Sequence, residues 1–273
     1  MVDAIRSSIG IGPELVRATL RGFSADWRLN LLRTGGAALL VVTEAIGAII
    51  LLHRFEGIGG WTTAEVLLLF GVADAGLGLG MLVADPLEPP TFSQLLRDGR
   101  FDQVLTRPMS PLVWVVATDI QIRYVGRFVA GAIIALVALV TSGAAVTPAA
   151  VALLVLATVS MALTVVAILT IGAAITMYTI EGTEVLNAFT YGGATMAGWP
   201  LQIYAGALRA VFVWAVPVGV SVYVPVLWIL GRDGPGGAGR DLLAFVPVLV
   251  LTFCVVAAGA WRAGLSRYTG AGS

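Results

Sequence analysis

There is no lysine in this chain: all sixteen of its basic residues are arginine. A phosphate loop of the GxxxxGK[ST] kind needs a lysine to reach the β- and γ-phosphates, so the chain cannot hydrolyse ATP by that route. Cysteine is nearly missing too. Cys254 stands alone in an apolar run, which excludes an internal disulfide and a cysteine-built metal site. Charge is scarce: 12% of residues are charged and the formal net charge is zero. That balance argues against a nucleic-acid partner, since such proteins usually carry a strong basic patch. Hydrocarbon fills the chain instead, with 58% hydrophobic residues in several runs near the roughly 20 residues a helix needs to cross a bilayer. The expected fold is an all-α polytopic membrane protein. Its first apolar run begins near Leu31 behind several arginines, too far in for a cleavable signal peptide.

Residues 1–30 read as something other than a span. Val16, Leu20, Phe23, Trp27 and Leu31 recur at helical spacing, with Arg17, Arg21 and Arg28 beside them. This predicts an amphipathic helix in the cytoplasmic interface, with Leu20, Phe23 and Trp27 in lipid. The same stripe also suits a helix packed on the chain's own cytoplasmic loops. Residues 31–273 form one transmembrane domain, with spans predicted at about 34–53, 63–83, 125–142, 149–174 and 241–261. The turn from His53 to Thr62 carries Trp61, an aromatic suited to the membrane interface. Gly76 and Gly80 in the second span form a small-x-x-x-small pair, so this helix is expected to face another helix. Asp119, Arg123 and Arg127 fall at four-residue spacing and are expected to share a helix face. Glu181 and Glu184 mark a cytoplasmic stretch, and Gly231–Gly239 is a flexible connector. Region 183–230 is open between two readings. Hydropathy makes 210–230 a span and lays 183–200 along the inner surface.

Two acids lie inside predicted spans. Glu44 in the first and Asp74 in the second fall at depths of roughly 14 and 17 Å from the outer side, near the bilayer midplane. An acid there is costly unless it faces protein or a water-filled cavity. Both readings of the pair stay open: neutral groups holding helices together, or a lining of a transport pathway that favours cationic or polar substrates.

The longest polar interruption is the segment 84–112. Its core reads Gly99-Arg100-Phe101-Asp102-Gln103-Val104-Leu105-Thr106-Arg107-Pro108-Met109-Ser110-Pro111-Leu112. Phe101, Val104 and Leu105 suit a short amphipathic helix that Pro108 ends. This string resembles the G-x-L/F-D-x-x-L-x-R-P-x-x-P-L signature of ABC-2-type permeases, and within them the subfamily in which two small permeases share one ATPase. Three further stretches are similar to that family: Gly60-Trp61 followed by Glu65; Trp199-Pro200-Leu201-Gln202-Ile203-Tyr204 with Arg209, Pro217, Tyr223 and Pro225; and Gly264-Leu265-Ser266-Arg267-Tyr268, with Ser266 where an arginine is common. Together they run nearly the length of the chain.

The resemblance implies six transmembrane helices in the type V exporter-like arrangement. A fifth helix would run outward, and a re-entrant outer hairpin would follow at 201–228, which is the second reading of 183–230. That arrangement places both termini in the cytoplasm of a cell-membrane protein. It leaves Arg54, Arg209, Arg232 and Arg240 outside and twelve arginines inside, as the positive-inside rule requires. The implied function is a permease subunit of an ATP-driven exporter, forming half the pathway for a hydrophobic or cationic small molecule. The chain itself is then no enzyme. ATP and magnesium belong to a partner ABC ATPase dimer, and a second, homologous permease completes the pathway. Arg97, Arg100, Phe101, Asp102, Leu105, Arg107 and Pro108 are the expected ATPase contact, and the helix with Gly76 and Gly80 is the expected seam between permeases. The competing classes are an ion-coupled secondary transporter, whose internal repeats are not evident here, and a non-transporting membrane assembly subunit.

Overall fold

The computed structural model describes residues 27–55, 57–179, 185–233 and 241–268. The expected interfacial residues Leu20 and Phe23, both acids Glu181 and Glu184, and most of the glycine-rich connector lie outside them. Trp27 is described. It opens α1, Trp27–Arg54, so the first long helix starts before the boundary expected at residue 31.

The chain turns at residues 57–62 and enters α2, Thr63–Ala84. Thr62 and Glu65 start this helix by exchanging hydrogen bonds: the Thr62 amide donates to Glu65 Oε2 at 2.7 Å, and the Glu65 amide donates to Thr62 Oγ1 at 3.3 Å. A 3₁₀ turn at Asp85–Leu87 ends α2 around Pro86. Three short helices follow: α3, Pro89–Arg97; α4, Arg100–Leu105; and α5, Pro111–Thr118. Then come α6, Arg123–Thr141; α7, Pro148–Thr179; α8, Val185–Ala197; α9, Gly206–Ala210, extended by a π turn at Val211–Ala215; α10, Val218–Leu230; and α11, Phe245–Arg267. Among the described residues every helix or strand-length element is helical; one isolated bridge joins Ile58 to Trp61 in the turn.

Five helices are long and apolar enough to cross a membrane, and a sixth crossing is counted if α9 with its π turn and α10, which meet at 92°, make one broken span. The 13 residues of α8 cover about 20 Å, less than the hydrocarbon core. Its contacts nonetheless lead from one end of the bundle to the other. Leu186 packs at Gly172, close to Pro89, and just past its end Gln202 donates to the Gly59 carbonyl at 2.9 Å. From there the chain dips: Phe212 and Val218 pack at Gly193, in mid-helix, and Arg232 then donates to the Gly60 carbonyl at 2.8 Å. Arg232 also pairs with Glu65 at 2.8 Å and lies 5.0 Å over the Trp61 ring, which meets Tyr223 at 5.6 Å. Tyr223 donates to Gln202. The turn end of the molecule is thereby fastened to the 201–232 segment.

The second helix, α2, is the axis. On one side its backbone meets α6 almost directly: a methyl at Gly71 would stand 2.5 Å from the Ala135 nitrogen, and one at Gly78 2.6 Å from that of Phe128. Gly131 answers from α6 against Ala75. On the other side Gly76 sits on Met161, and Gly80 on Val165 and the Ala162 carbonyl, all of α7. The expectation that Gly76 and Gly80 form a seam between permeases is therefore corrected. They face a helix, as expected, but it is one of their own chain, because small residues on two sides of α2 draw α6 and α7 onto it.

The shared face of Asp119, Arg123 and Arg127 is also corrected. The chain leaves helical geometry at Asp119 (φ −141°), which accepts instead from Gln121 at 2.9 Å. α6 begins at Arg123, and its two arginines pair with other helices.

Candidate functional site

One gathering of functional side chains is the 85–122 end. Pro89 and Pro111 stand at the first turns of α3 and α5, where a missing N–H costs little. Gly99 joins α3 to α4 at φ +65°, a backbone that a side chain would strain. Leu96, Phe101 and Val104 turn inward. Phe101 is fully buried, meeting Tyr268 edge-on at 5.2 Å, Phe92 at 5.5 Å and Trp261 at 6.3 Å. Two of the motif stretches thus touch, and the segment rests on the end of α11. Burial first, and nearby half-buried Asp102 second, push the Tyr268 hydroxyl up to about 12.

Five of the seven expected contact residues, Arg97, Arg100, Leu105, Arg107 and Pro108, are exposed. Phe101 is not: its ring is core, so its place as a contact is corrected to that of an anchor beneath the surface. Arg100 and Arg107 border an open cleft of about 370 Å³ with Gln94, Gln103, Trp114 and Asp119. Arg107 lies 4.9 Å over the Trp114 ring, an arrangement that orients its guanidinium.

The second gathering lies inside the helices. Glu44 of α1 and Asp74 of α2 are brought together, as their depths suggest, and Arg127 of α6 stands between them. Arg127 Nε donates to Asp74 Oδ1 at 2.8 Å, while a terminal nitrogen lies 3.7 Å from Glu44 Oε2. Asp74 is buried at 6% exposure, whereas the Glu44 side chain is 53% exposed. All three border a cavity of about 410 Å³ between α1, α2 and α8, whose walls include Leu51, Phe70, Leu77, Tyr191 and Trp199. Arg127 was missed as a site residue. Its signal was visible: an arginine just inside the third apolar run had to find an acid at similar depth, and the sequence offers two.

Between the two gatherings lies a polar knot. Arg123 donates to Asp85 Oδ1 at 2.9 Å, Tyr124 donates to the same oxygen at 2.8 Å, and Tyr191 donates to Glu88 Oε1 at 3.1 Å.

Against this architecture, the model of the ABC-2 family of transporter proteins matches residues 38–272. The chain belongs to the ABC-2 transporter family. No curated protein and no solved structure matches it. An ABC-2 protein is the multi-pass membrane permease of an ABC transporter and associates with an ABC ATPase.

Proposed function

We propose that this ABC-2 permease forms half of the pathway of an ATP-driven exporter for a hydrophobic or cationic small molecule, with a second permease forming the other half. The observation that carries the reading is the cavity at Glu44, Arg127 and Asp74. Two carboxylates share one guanidinium there, and the outer acid is half free. An ionisable group near mid-bilayer costs about 2.5–3.5 kcal/mol if lipid meets it. Glu44 therefore calls for water or a second protein over the α1 face, which is where a sister permease would complete a channel. The surplus carboxylate and the Trp199, Phe70 and Tyr191 rings suit an amphipathic cation.

In this reading the 85–122 end is cytoplasmic, in keeping with its arginines, and is the coupling contact for an ATPase dimer that binds ATP and magnesium. The 201–228 segment is a re-entrant hairpin on the outer side, supported by its dip to Gly193 and its return to Gly60. The test is ATP-dependent uptake of a fluorescent lipophilic cation into everted membrane vesicles holding this chain, its ATPase and the second permease. Uptake that persists without the ATPase would sink the reading. Replacing Arg107 with Ala and Pro108 with Gly together should leave insertion intact and uncouple ATP hydrolysis from uptake; normal uptake by the double variant would remove this segment from the coupling route.

A further inference from the structure

Tyr191 touches both gatherings. On the α8 side, Tyr191 stands at one end of the cavity and Trp199 at the other. The polypeptide direction fixes which end is which: α8 runs from Pro89 toward Gly59, so Tyr191 is on the 85–122 side. Its hydroxyl leaves the cavity and donates to Glu88, the residue immediately before Pro89 and hence the first joint of the short-helix segment. Around it, Tyr124 and Arg123 hold Asp85, the residue that ends α2. Four elements, α2, α3, α6 and α8, thus converge on one patch of hydroxyls and carboxylates directly under the cavity.

We propose that Tyr191, held by Glu88, is the cytoplasmic closure of the Glu44–Arg127–Asp74 cavity, so that displacement of α3 withdraws the residue that holds the closure. This rests on the reading of that cavity as part of the pathway. The Tyr191 ring is long enough to reach from the cavity wall to the loop, where its hydroxyl donates to Glu88 and also meets the Tyr124 hydroxyl. A push on the exposed face of α3 and α4 moves Glu88 with them, since Glu88 is their leading residue and Phe101 anchors the same segment to α11. When Glu88 moves, the hydroxyl loses its carboxylate acceptor, and the hold on the ring in the floor is weakened.

The test uses thiol chemistry, and no transported compound need be known. In the complex with its ATPase, in everted vesicles, Cys254→Ser removes the native thiol and Thr195→Cys places a new one on the cavity wall, one helical turn beyond Tyr191. A charged, membrane-impermeant methanethiosulfonate is then added to the cytoplasmic face. Tyr191→Phe, which deletes the hydroxyl alone, and Glu88→Ala, which deletes its acceptor, should each speed labelling roughly two- to tenfold, the change in a closed–open equilibrium expected from one net hydrogen bond. The double variant should be no faster than Tyr191→Phe alone, because that change already removes the bond to Glu88. Co-purification with the ATPase verifies assembly. Unchanged rates in both single variants, or additive acceleration in the double, would overturn the closure. If position 195 reacts from neither face in any nucleotide state, the cavity is dry and the pathway reading itself fails.

Discussion

Helices α1 and α2 are neighbours in sequence with almost equal apolarity, at a mean hydropathy of 2.2 and 2.1 in their best windows, yet 22% of one window is buried and 78% of the other. Greasiness does not decide which helix becomes core in a membrane, since lipid is as good a solvent for leucine as protein is. Small residues decide it. The second helix carries Gly71, Gly76, Gly78 and Gly80 on surfaces that meet α6 and α7, while Gly35 and Gly36 of α1 face open space. The acids follow the same division. Asp74, on the core helix, is buried against Arg127; Glu44, on the outer helix, stands 3.7 Å from the same arginine and half exposed. One arginine thus serves a clamp on one side and a loosely held carboxylate on the other.

The contrast can be broken most severely at the glycines. Gly78→Leu should abolish recovery of folded permease, because the new side chain meets the Phe128 backbone, whereas Gly36→Leu should be recovered at close to the parental level; monodisperse yield after detergent extraction measures both. Next in size is Asp74→Ala, which leaves the partly buried Arg127 without its main partner. A loss of about 3–5 kcal/mol is expected from breaking a buried pair, read as a large fall in thermal midpoint by tryptophan fluorescence, with Asp74→Asn intermediate. Smallest for stability is Glu44→Gln. Polar contacts between membrane helices average about 0.6 kcal/mol, so its midpoint should hardly move, while ATP-dependent uptake of a lipophilic cation should fall about tenfold. A Glu44 variant that loses stability as Asp74→Ala does would erase the distinction between clamp and free carboxylate.

Much of this architecture was legible beforehand. Apolar length located α1, α2, α6, α7 and α11, though α1, α7 and α11 each overrun an expected end by five to seven residues. Of the three short helices only the one at Arg100–Leu105 was expected, from Phe101, Val104, Leu105 and the stop at Pro108, and the depth argument put Glu44 and Asp74 together. What sequence reasoning missed depends on rotation about a helix axis. Nothing in a uniformly apolar α2 says which glycines look toward α6, which toward α7, and which toward another subunit. Phe101 looked like a surface residue because its neighbours in sequence are charged; its partners, Trp261 and Tyr268, lie more than 150 residues away in sequence. Arg127 was assigned to its own helix because its nearest acid in sequence is Asp119, and the break at residues 119–122 that separates them carries no glycine or proline.

The Asp74–Arg127 pair also bears on how the chain is made. Its members are 53 residues apart, so at about 5–20 residues per second the ribosome takes roughly 3–10 seconds after the acid to supply its arginine. During that interval α2 has no counter-ion from α6 and must wait beside the insertion machinery or hold its carboxyl protonated in lipid. Biogenesis of this permease therefore has a fixed order. The most buried of its five long apolar helices is the one that cannot settle on arrival, because its counter-ion comes with α6.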